Sequence, residues 1–342
     1  TLVTGITVEG TYVVRWTISN GACSSFDEIE IIKYPDVSLT CPSDPTICEG
    51  GTATISITAT GGSGSYSYVW ESGPSAGGPW TLIPGHTDDS YTTPALTADT
   101  WYRITETCGQ VSCVVKVNVV PDPSIGSMSS NTTICSGATA NLSVTASGGI
   151  PGLNYQWYTG SSCGGTTTLV AGATNANYTT PALAQTTYYR AVVTASGEGC
   201  NPAISNCVGV FVPVITQHPQ GTILCSGGTH TMSVAASSNG GSETYAYQWQ
   251  YSPTDSPYAW SNVTGGTGAN TPAYTTPVLT TGDYFYRCVI SITSPVGCSD
   301  LQTDPAYVQA FNDPVVADIS GPQQICANTA ASLFVTVTGG TG

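Results

Sequence analysis

The arginines of the chain are spaced as parts of a long sequence repeat. There are four, each roughly 90 residues from the next, and a period of this length is that of a whole domain rather than of a short solenoid repeat. They are Arg15, Arg103, Arg190 and Arg287. Each follows a pair of bulky apolar or aromatic residues. The chain is therefore predicted to be an array of copies of one domain, which limits its function more than any local motif does.

Three further landmarks recur at the same period and set the domain boundaries. An early cysteine precedes an alternating stretch, a tryptophan closes Tyr-x-Trp, and a tyrosine opens Tyr-Thr-Thr-Pro. The landmarks are Cys48, Cys135, Cys225 and Cys326; Trp70, Trp157 and Trp249; and Tyr91, Tyr178 and Tyr274. The predicted domains are 38–122, 123–215 and 216–314, with the back end of a domain at 1–37 and the front end of another at 315–342.

Two arrangements would account for a chain that begins and ends inside domains. In the first, the chain is a window onto a longer polypeptide. In the second, residues 315–342 of one subunit add strands to residues 1–37 of the next and build an open-ended, head-to-tail fibre. The first is favoured, because the joined ends would lack a Trp-bearing strand and would fill their core poorly.

Composition excludes two kinds of partner. Charged residues make up 8% of the chain and the net charge is −15, so the basic surface that nucleic acid requires is missing. No apolar run approaches the roughly 20 residues of a membrane-spanning helix, so this segment is not expected to insert into a membrane. A hydrophobic fraction of 40%, with 39 glycines and 22 prolines, suits short strands joined by turns.

Apolar and polar residues alternate along many segments, among them 52–59, 114–120 and 140–146. A period of two indicates half-buried strands, and no amphipathic helix is recognisable. In the three whole units a Leu…Tyr-x-x pattern around the arginine is typical of strand E leading into a tyrosine corner, with the tyrosine at Tyr102, Tyr189 and Tyr286. The prediction is an all-β fold of tandem immunoglobulin-like β-sandwiches, stapled by disulfides.

The 13 cysteines can be paired by their place in the repeat, although the sequence alone does not fix the connectivity. The register favours Cys48–Cys108, Cys135–Cys200 and Cys225–Cys298, with Cys41–Cys113 and Cys163–Cys207 as extra pairs. Cys23 and Cys326 would find partners beyond the ends, and Cys288 would remain a buried thiol. Metal binding or reduced thiols are the alternative, with little support because no Cys-x-x-Cys is present. Disulfides at this density imply export to an oxidising compartment.

The recurring arginine has two interpretations. On strand F its side chain points away from the core, towards the outer face of strand C. A bond or stacking contact on the sheet surface is the favoured account, and a repeated ligand contact is the alternative.

Candidate catalytic residues lie at unrelated repeat positions. These are His86, His218 and His230. A Gly-x-Ser-x-Gly match at 160–164 is followed by Thr166-Thr-Thr-Leu-Val, which reads as a strand, whereas a nucleophile elbow needs a helix there. The chain is therefore predicted not to be an enzyme.

No cofactor is predicted, with one alternative. Asp36, Asp122 and Asp313 lie beside prolines at domain junctions, where they suggest a calcium-binding hypothesis. No loop resembles an EF-hand.

Several motifs together resemble a known group of proteins. They are Thr-Ile-Cys-Ser-Gly at 133–137, Tyr-Gln-Trp-Tyr at 155–158, Tyr-Thr-Thr-Pro-Ala-Leu at 178–183, and Thr-Tyr-Tyr-Arg at 187–190. This combination resembles the Ig-like repeats of giant secreted surface proteins of Bacteroidota, and residues 10–23 resemble their PKD-like relatives. The resemblance implies export by the type IX secretion system, display on the cell surface, and a role in adhesion, gliding or an extracellular matrix.

Glycosylation is a weaker prediction. Asn-x-Ser/Thr triplets begin at Asn131, Asn141, Asn177 and Asn262. The Bacteroidota resemblance favours O-glycans on Ser or Thr instead, and Thr100 after Asp99 is a candidate acceptor.

The function predicted from the sequence is that of a non-enzymatic extracellular structural protein, a tandem Ig-like array forming a cell-surface stalk or filament. Its partners would be other copies of the chain or further repeats of it. The alternative is an adhesin module, in which loops near Trp80, Tyr258 and Trp260 bind a surface glycan or a protein. Exposed aromatic residues clustered on one domain would favour the alternative.

Overall fold

All regular secondary structure that the computed structural model describes is β-strand, and this confirms the predicted all-β fold. The structure describes residues 2–150, 152–164, 168–294 and 297–340. Over these ranges no helix is long and apolar enough to cross a membrane.

The strands are named in chain order and grouped by the repeats predicted from the sequence. The N-terminal half repeat (1–37) has β1 (Gly10–Asn20) and β2 (Cys23–Lys33). The first repeat (38–122) has β3 (Ser38–Thr40), β4 (Thr46–Cys48), β5 (Thr54–Ser56), β6 (Thr58–Thr60), β7 (Tyr68–Gly73), β8 (Thr81–Ile83), β9 (Ser90–Thr92), β10 (Thr100–Glu106) and β11 (Ser112–Val120). The second repeat (123–215) has β12 (Ser124–Met128), β13 (Thr132–Thr133), β14 (Asn141–Ser147), β15 (Asn154–Gly160), β16 (Thr168–Leu169), β17 (Asn177–Thr179), β18 (Thr187–Thr194), β19 (Ala203–Ile204), β20 (Val208–Phe211) and the start of β21 (Val214–Gln217). The third repeat (216–314) has β22 (Thr222–Cys225), β23 (Thr231–Ser233), β24 (Ala235–Ser237), β25 (Thr244–Ser252), β26 (Ser261–Asn262), β27 (Ala273–Thr275), β28 (Gly282–Ser294), β29 (Leu301–Gln302) and β30 (Ala306–Phe311). The C-terminal half repeat (315–342) has β31 (Val315–Ile319) and β32 (Val335–Thr338).

The chain separates into two compact units, each described by itself. The first unit contains residues 1–127, 145–155 and 192–204. Within it the first repeat is a β-sandwich with one sheet in the order β4-β11-β10-β7-β8 and the pairs β3-β6 and β5-β9 opposite. The sandwich is not wholly antiparallel, because β4 runs parallel to β11.

Period-two alternation builds the core of the first repeat. Along β10 and β11 every second side chain is buried, so that one face of the sheet packs inward. At the centre Trp70 is fully buried, and its indole N–H donates a hydrogen bond to the carbonyl of Asp88 at 2.9 Å. Trp70 is thus a core residue of the first repeat.

The second unit contains residues 128–144, 156–191 and 205–342. Its third repeat follows the same plan, with a sheet in the order β22-β30-β28-β25-β26, β29 beside β28, and the pairs β21-β24 and β23-β27 opposite. Here β22 runs parallel to β30. Trp249 is fully buried and its indole donates to the carbonyl of Thr271 at 2.9 Å. The two repeats therefore share one architecture down to the tryptophan hydrogen bond.

The second repeat contributes residues to both units. Its strands form a three-stranded sheet, β12-β14-β17, and a six-stranded one in the order β13-β20-β18-β15-β16 with β19 beside β18. Trp157 is fully buried and donates to the carbonyl of Asn175 at 2.8 Å.

The tyrosine-corner assignment needs correction. Tyr102, Tyr189 and Tyr286 are buried core residues. In a tyrosine corner the tyrosine hydroxyl donates a hydrogen bond to a backbone carbonyl a few residues upstream. Here Tyr12 donates such a bond to Val8 and Tyr284 donates one to Thr280, both at 2.8 Å. The sequence prediction assigned the corner to the tyrosine just before the arginine in every whole repeat. The tyrosine that makes the bond lies two residues earlier.

The half repeats expose apolar side chains that whole repeats bury. The β1–β2 ribbon of the first unit leaves Trp16, Phe26 and Ile29 about 60% exposed. The β31–β32 pair of the second unit exposes Phe334 and Val335 to a similar degree. Among the described residues each ribbon is a two-stranded sheet, and these apolar side chains are largely open to solvent.

Candidate functional site

Two of the disulfides, Cys48–Cys200 and Cys135–Cys298, join consecutive repeats, and this is the main departure from the predicted pairing. Within the first unit Cys48 of the first repeat bonds Cys200 of the second, with Cα atoms 4.8 Å apart. Within the second unit Cys135 of the second repeat bonds Cys298 of the third, at 5.1 Å. We call Cys48 and its equivalents Cys135, Cys225 and Cys326 the early cysteines. We call Cys23, Cys108, Cys200 and Cys298 the late cysteines.

The predicted pairs Cys48–Cys108, Cys135–Cys200 and Cys225–Cys298 are therefore wrong. In the first repeat, Cys48 lies beside Val120 at the end of β11, whereas Cys108 precedes the start of the same strand. A strand of nine residues is about 26 Å long, far beyond the Cα separation that a disulfide allows. Early and late cysteines of one repeat therefore lie at opposite ends of its sandwich. The parallel pairing of β4 with β11 was the missing information.

Two other disulfides lie within single repeats. Cys41 bonds Cys113, with Cα atoms 5.8 Å apart, and Cys163 bonds Cys207 at 5.5 Å. Both are pairs that the sequence predicts.

Backbone contacts accompany the Cys48–Cys200 bond. The amide of Cys48 donates to the carbonyl of Glu198 at 3.0 Å. Gly51 and Gly199 let the two segments approach, since a Cβ on Gly199 would lie 2.2 Å from the Gly51 Cα. Gly199 also has a φ of +76°, which disfavours other residues. The two segments are therefore joined by the disulfide, by a backbone hydrogen bond and by close backbone packing.

The early cysteines share one local geometry. In each, the cysteine carbonyl accepts the amide three residues later, from Gly51, Ala138, Gly228 and Thr329 respectively, at 3.0–3.1 Å. In the three whole repeats a leucine also makes two backbone hydrogen bonds to this turn. Its carbonyl accepts the amide two residues after the cysteine, and its amide donates to the carbonyl three residues after the cysteine. These leucines are Leu96, Leu183 and Leu279. The turn therefore holds the backbone of each early cysteine in the same way, whether or not its sulfur is bonded.

Five cysteines are free in the structure. Cys23, Cys108, Cys225 and Cys326 are exposed, while Cys288 is buried in the third repeat. Burial raises the pKa of the Cys288 thiol to about 12, so it stays protonated and unreactive at neutral pH. The predicted role of Cys288 as a buried thiol agrees with this position.

The recurring arginine makes structural contacts, as favoured from the sequence. Arg103 bonds the Glu71 carboxylate at 2.6 Å and lies 4.9 Å from the centre of the Trp80 ring. Arg287 donates to Gln250 and Gln302, both at 2.9 Å, and lies 4.5 Å from Trp260. Both therefore bridge strands on the outer face and stack on an aromatic ring.

Aromatic rings cluster on the surface of the third repeat. Tyr258 stacks on Trp260 with centroids 4.9 Å apart, and Phe285 stacks on Tyr307 at 5.2 Å. Tyr258 meets Phe285 edge-on at 5.6 Å and joins the two pairs. Tyr258 and Tyr307 are 39% and 42% exposed. We call these four residues the aromatic face.

Two carboxylates border the aromatic face. A cavity of about 500 Å³ is lined by Pro253, Asp255, Tyr258, Asp283, Phe285, Pro305 and Tyr307. Asp283 accepts hydrogen bonds from the Tyr307 hydroxyl at 2.7 Å and the Gln309 amide at 3.0 Å. The hydrogen bonds to Asp283 and Asp255 raise the pKa of Tyr307 and Tyr258. Flat rings beside acceptor groups can bind a ring-shaped ligand that carries hydroxyl groups.

The remaining predicted residues lie apart from both features. Asn131, Asn141, Asn177 and Asn262 are exposed, and Thr100 is half-buried with its hydroxyl bonded to the Ala98 carbonyl. Glycosylation of these residues stays a prediction. His86 contacts Tyr91, His218 Nδ1 accepts a hydrogen bond from the Asp304 amide, and His230 bonds the Gln220 carbonyl. Of the Gly-x-Ser-x-Gly match, residues 161–164 form an exposed turn, and 165–167 lie outside the described residues.

Two of the junction acids have partners of their own. Asp122 accepts hydrogen bonds from the amide and side chain of Asn201, and Asp36 lies 4.0 Å from the Lys33 ammonium. Across the part of the chain that the structure describes, no group of three or more His, Cys, Asp or Glu side chains could hold a metal ion.

A family profile matches the chain three times. The family is described as Domain of unknown function (DUF8696), and the matches cover residues 37–121, 124–214 and 216–309. A search of curated proteins finds no match.

Similar solved structures include three-domain fragments of titin. The I67–I69 fragment is 13% identical, and the match covers 82% of this chain and 99% of that one with a TM-score of 0.41. Immunoglobulin domains 1–4 of Sidekick-1 are 14% identical, over 88% of this chain and 82% of that one, with a TM-score of 0.30. These values concern the fold alone.

Proposed function

The chain belongs to the family described as Domain of unknown function (DUF8696), and we propose that it is a structural protein, a disulfide-linked array of Ig-like domains that forms a stalk or filament outside the cell. The observation that carries the proposal is the pair of disulfides between consecutive repeats, Cys48–Cys200 and Cys135–Cys298. Such bonds hold neighbouring domains in a fixed order, which a stalk requires and an isolated binding domain does not.

The disulfides also support the location. Bonds of this kind persist in oxidising surroundings and are rare in the cytosol. The sequence resemblance to Bacteroidota surface repeats adds cell-surface display, type IX secretion and glycosylation to the proposal. Other copies of the chain, or further repeats of it, are the proposed structural partners.

Immunogold electron microscopy of cells that produce the protein tests this role. An antibody against the chain should label extended material outside the cell envelope. Labelling confined to the cytoplasm would contradict the proposal. Treating the cells with a thiol reductant serves as the control for the disulfides, and it should loosen or shorten the labelled material.

A second function is favoured by the aromatic face. Stacking of a sugar ring on aromatic side chains, with hydroxyl groups bonded to nearby carboxylates, is a common way to bind carbohydrate. The aromatic face offers exposed rings at Tyr258 and Tyr307, with Asp255 and Asp283 beside them. We therefore propose that the third repeat binds a surface glycan, so that the stalk also acts as an adhesin.

A glycan array followed by calorimetry tests this second function. The wild-type chain should bind one or more neutral saccharides, and Tyr258→Ala combined with Tyr307→Ala should lower the affinity at least about tenfold, or 1.4 kcal/mol. The control is Val278→Ala, which changes an exposed apolar residue of the same repeat. Equal binding by all three proteins would contradict the assignment.

A further inference from the structure

The first repeat places an ammonium group between a carboxylate and an aromatic ring. The Lys116 ammonium bonds the Asp99 carboxylate at 2.7 Å and lies 5.8 Å from the centre of the Trp101 ring. Both contacts favour a positive charge, the first as a charge-assisted hydrogen bond and the second through the negative face of the ring. The strand framework of this chain therefore provides one example of an ammonium site.

The third repeat retains the carboxylate and the ring but replaces the lysine by a tyrosine. The first two equivalent pairs lie four and two residues before the recurring arginine, and the third lies opposite the ring on the neighbouring strand. The pairs are Asp99 and Asp283, Trp101 and Phe285, and Lys116 and Tyr307. The Tyr307 hydroxyl is neutral, so its hydrogen bond to Asp283 leaves the negative charge of that carboxylate in place.

A second carboxylate adds negative charge at the same place. Asp255 and Asp283 line one cavity of about 500 Å³, together with the rings of Tyr258, Phe285 and Tyr307. Both carboxylates raise the pKa of the Tyr307 hydroxyl, Asp283 through a hydrogen bond and both through their charge, so both lie near that hydroxyl. In the ranges that the structure describes, neither carboxylate pairs with a lysine, arginine or histidine. Aromatic rings beside two such carboxylates favour a cation.

The contacts of Asp283 leave room for a ligand donor. Its bonds from the Tyr307 hydroxyl and the Gln309 amide both end on Oδ1, at 2.7 and 3.0 Å. The second oxygen, Oδ2, can therefore accept a charge-assisted bond from a ligand. The cation nearest in sequence is Arg287, which lies 4.5 Å from the centre of the Trp260 ring and bonds two glutamines. Its contacts are thus directed away from this carboxylate.

These observations specify the charge of the ligand. We propose that the third repeat binds saccharides that carry a free, positively charged amino group, in preference to neutral or acidic saccharides of the same ring structure. The ammonium lies beside Asp283 and Asp255, in the place that the Lys116 ammonium takes in the first repeat, and the sugar ring stacks on the aromatic face. This inference rests on the proposed glycan-binding function and names the class of glycan. Acidic saccharides are disfavoured, because the two carboxylates repel them.

The exposed rings favour an amino sugar over the lysine side chain of a partner protein. Tyr258 and Tyr307 are 39% and 42% exposed, and each offers a flat apolar surface that a sugar ring covers. A lysine side chain brings the same ammonium on a narrow aliphatic stem, which covers little of these rings. The cavity of about 500 Å³ is also large enough for a whole sugar ring.

Calorimetry with two matched oligosaccharides tests the preference. The probes are a glucosamine tetrasaccharide and the glucose tetrasaccharide of the same linkage, which has a hydroxyl where the first has an ammonium. At a mildly acidic pH, where the amino groups are charged, the wild-type chain should bind the glucosamine probe at least about tenfold more tightly. Tetralysine, which carries ammonium groups without sugar rings, should bind at least about tenfold more weakly than the glucosamine probe.

Two double variants place the preference at this cavity. Asp255→Asn with Asp283→Asn removes both charges and keeps the side-chain shape, so the ratio of the two oligosaccharide affinities should fall to about one. Asp88→Asn with Asp89→Asn is the control, because it removes the same charge from exposed positions of the first repeat. The control should keep the wild-type ratio, whereas a general attraction between the probe and an acidic chain would change equally in both variants.

Three results would overturn the inference. They are equal affinities of the wild-type chain for the two oligosaccharides, binding of tetralysine as tight as that of the glucosamine probe, and the same ratio in both double variants. The first two use the wild-type chain and do not depend on whether a variant folds. If neither oligosaccharide binds, the inference also fails. The glycan array then decides separately whether the third repeat binds other saccharides.

Discussion

The first and third repeats share a strand framework and differ in what one outer position carries. In the first repeat Trp101 on β10 lies opposite Lys116 on the neighbouring strand β11, and the Lys116 ammonium bonds Asp99 at 2.7 Å. In the third repeat the equivalent of Trp101 is Phe285, which faces Tyr307. The same strand framework therefore accommodates either an ion pair or an exposed aromatic surface at this position.

The carboxylate at this position has a different partner in each repeat. Asp99 and Asp283 both lie four residues before the recurring arginine. Asp99 is neutralised by a lysine, whereas Asp283 accepts hydrogen bonds from neutral groups of Tyr307 and Gln309. A negatively charged acceptor beside exposed rings therefore remains in the third repeat, and this is why the proposed glycan site lies there.

The largest expected effect concerns the shared interior. Trp70→Ala and Trp249→Ala should each destabilise their own repeat by about 3–5 kcal/mol, because both indoles are fully buried and hydrogen-bonded to a backbone carbonyl. Hydrogen exchange of the β10 and β28 amides measures the local free energies. Leu82→Ala, at an exposed position, is the control. Losses that differ by more than about 2 kcal/mol would mean that the two cores are not equivalent.

An exchange of side chains tests the outer face. Tyr307→Lys gives the third repeat the lysine of the first, which should bond Asp283 and close the site. The affinity for the saccharide that binds best should fall at least about tenfold. Lys116→Tyr in the first repeat is the matched control and should leave this affinity unchanged. Calorimetry measures both, and unchanged binding by Tyr307→Lys would place the ligand elsewhere.

A smaller difference is expected at the arginines. Arg103→Gln leaves the Glu71 carboxylate, 18% exposed, without its cationic partner, whereas Arg287→Gln removes a partner of uncharged glutamines. The first change should cost about 0.5–1 kcal/mol more than the second, the scale of a partly exposed ion pair. Thermal unfolding at low and high salt checks this, since salt should reduce the difference. No salt dependence would show that the ion pair contributes little.

The smallest effect concerns pH. The hydrogen bond from Lys116 holds the pKa of Asp99 below its ordinary value of 3.8. A depressed folded-state pKa stabilises the fold at pH above the unfolded value, and the contribution disappears as the pH falls from about 3.8 through the folded pKa. Because Asp99 is exposed, Asp99→Asn should lower the melting temperature only slightly at pH 6 and by less near pH 2. Equal shifts at both pH values would contradict the role of the charge.

The sequence predicted the elements that rest on local periodicity. The buried tryptophans and the arginine contacts follow from alternation and from a landmark spacing that any copy of the domain must keep. The bonds between repeats could not be predicted in the same way. The position of Cys48 in the repeat identifies its type, but the partner depends on which end of the sandwich each cysteine occupies. That depends on the parallel pairing of β4 with β11, which leaves no periodic signal.

The aromatic face shows a second limit. The sequence singled out Tyr258 and Trp260 but not Phe285 and Tyr307, which lie on the paired strands β28 and β30. Only cross-strand register brings these rings together. The sequence does contain one indication of the aromatic face. Where the first repeat has the charged residue Lys116, the third has the aromatic residue Tyr307.

The overlap of the two inter-repeat disulfides changes how the chain transmits pulling force. One bond spans 152 residues and the other 163, and the interval 135–200 lies inside both. Between residues 48 and 298 tension can pass along two covalent routes, one through each sulfur bridge. If one peptide bond between residues 48 and 298 is broken, at least one of the two disulfides still connects the two fragments covalently.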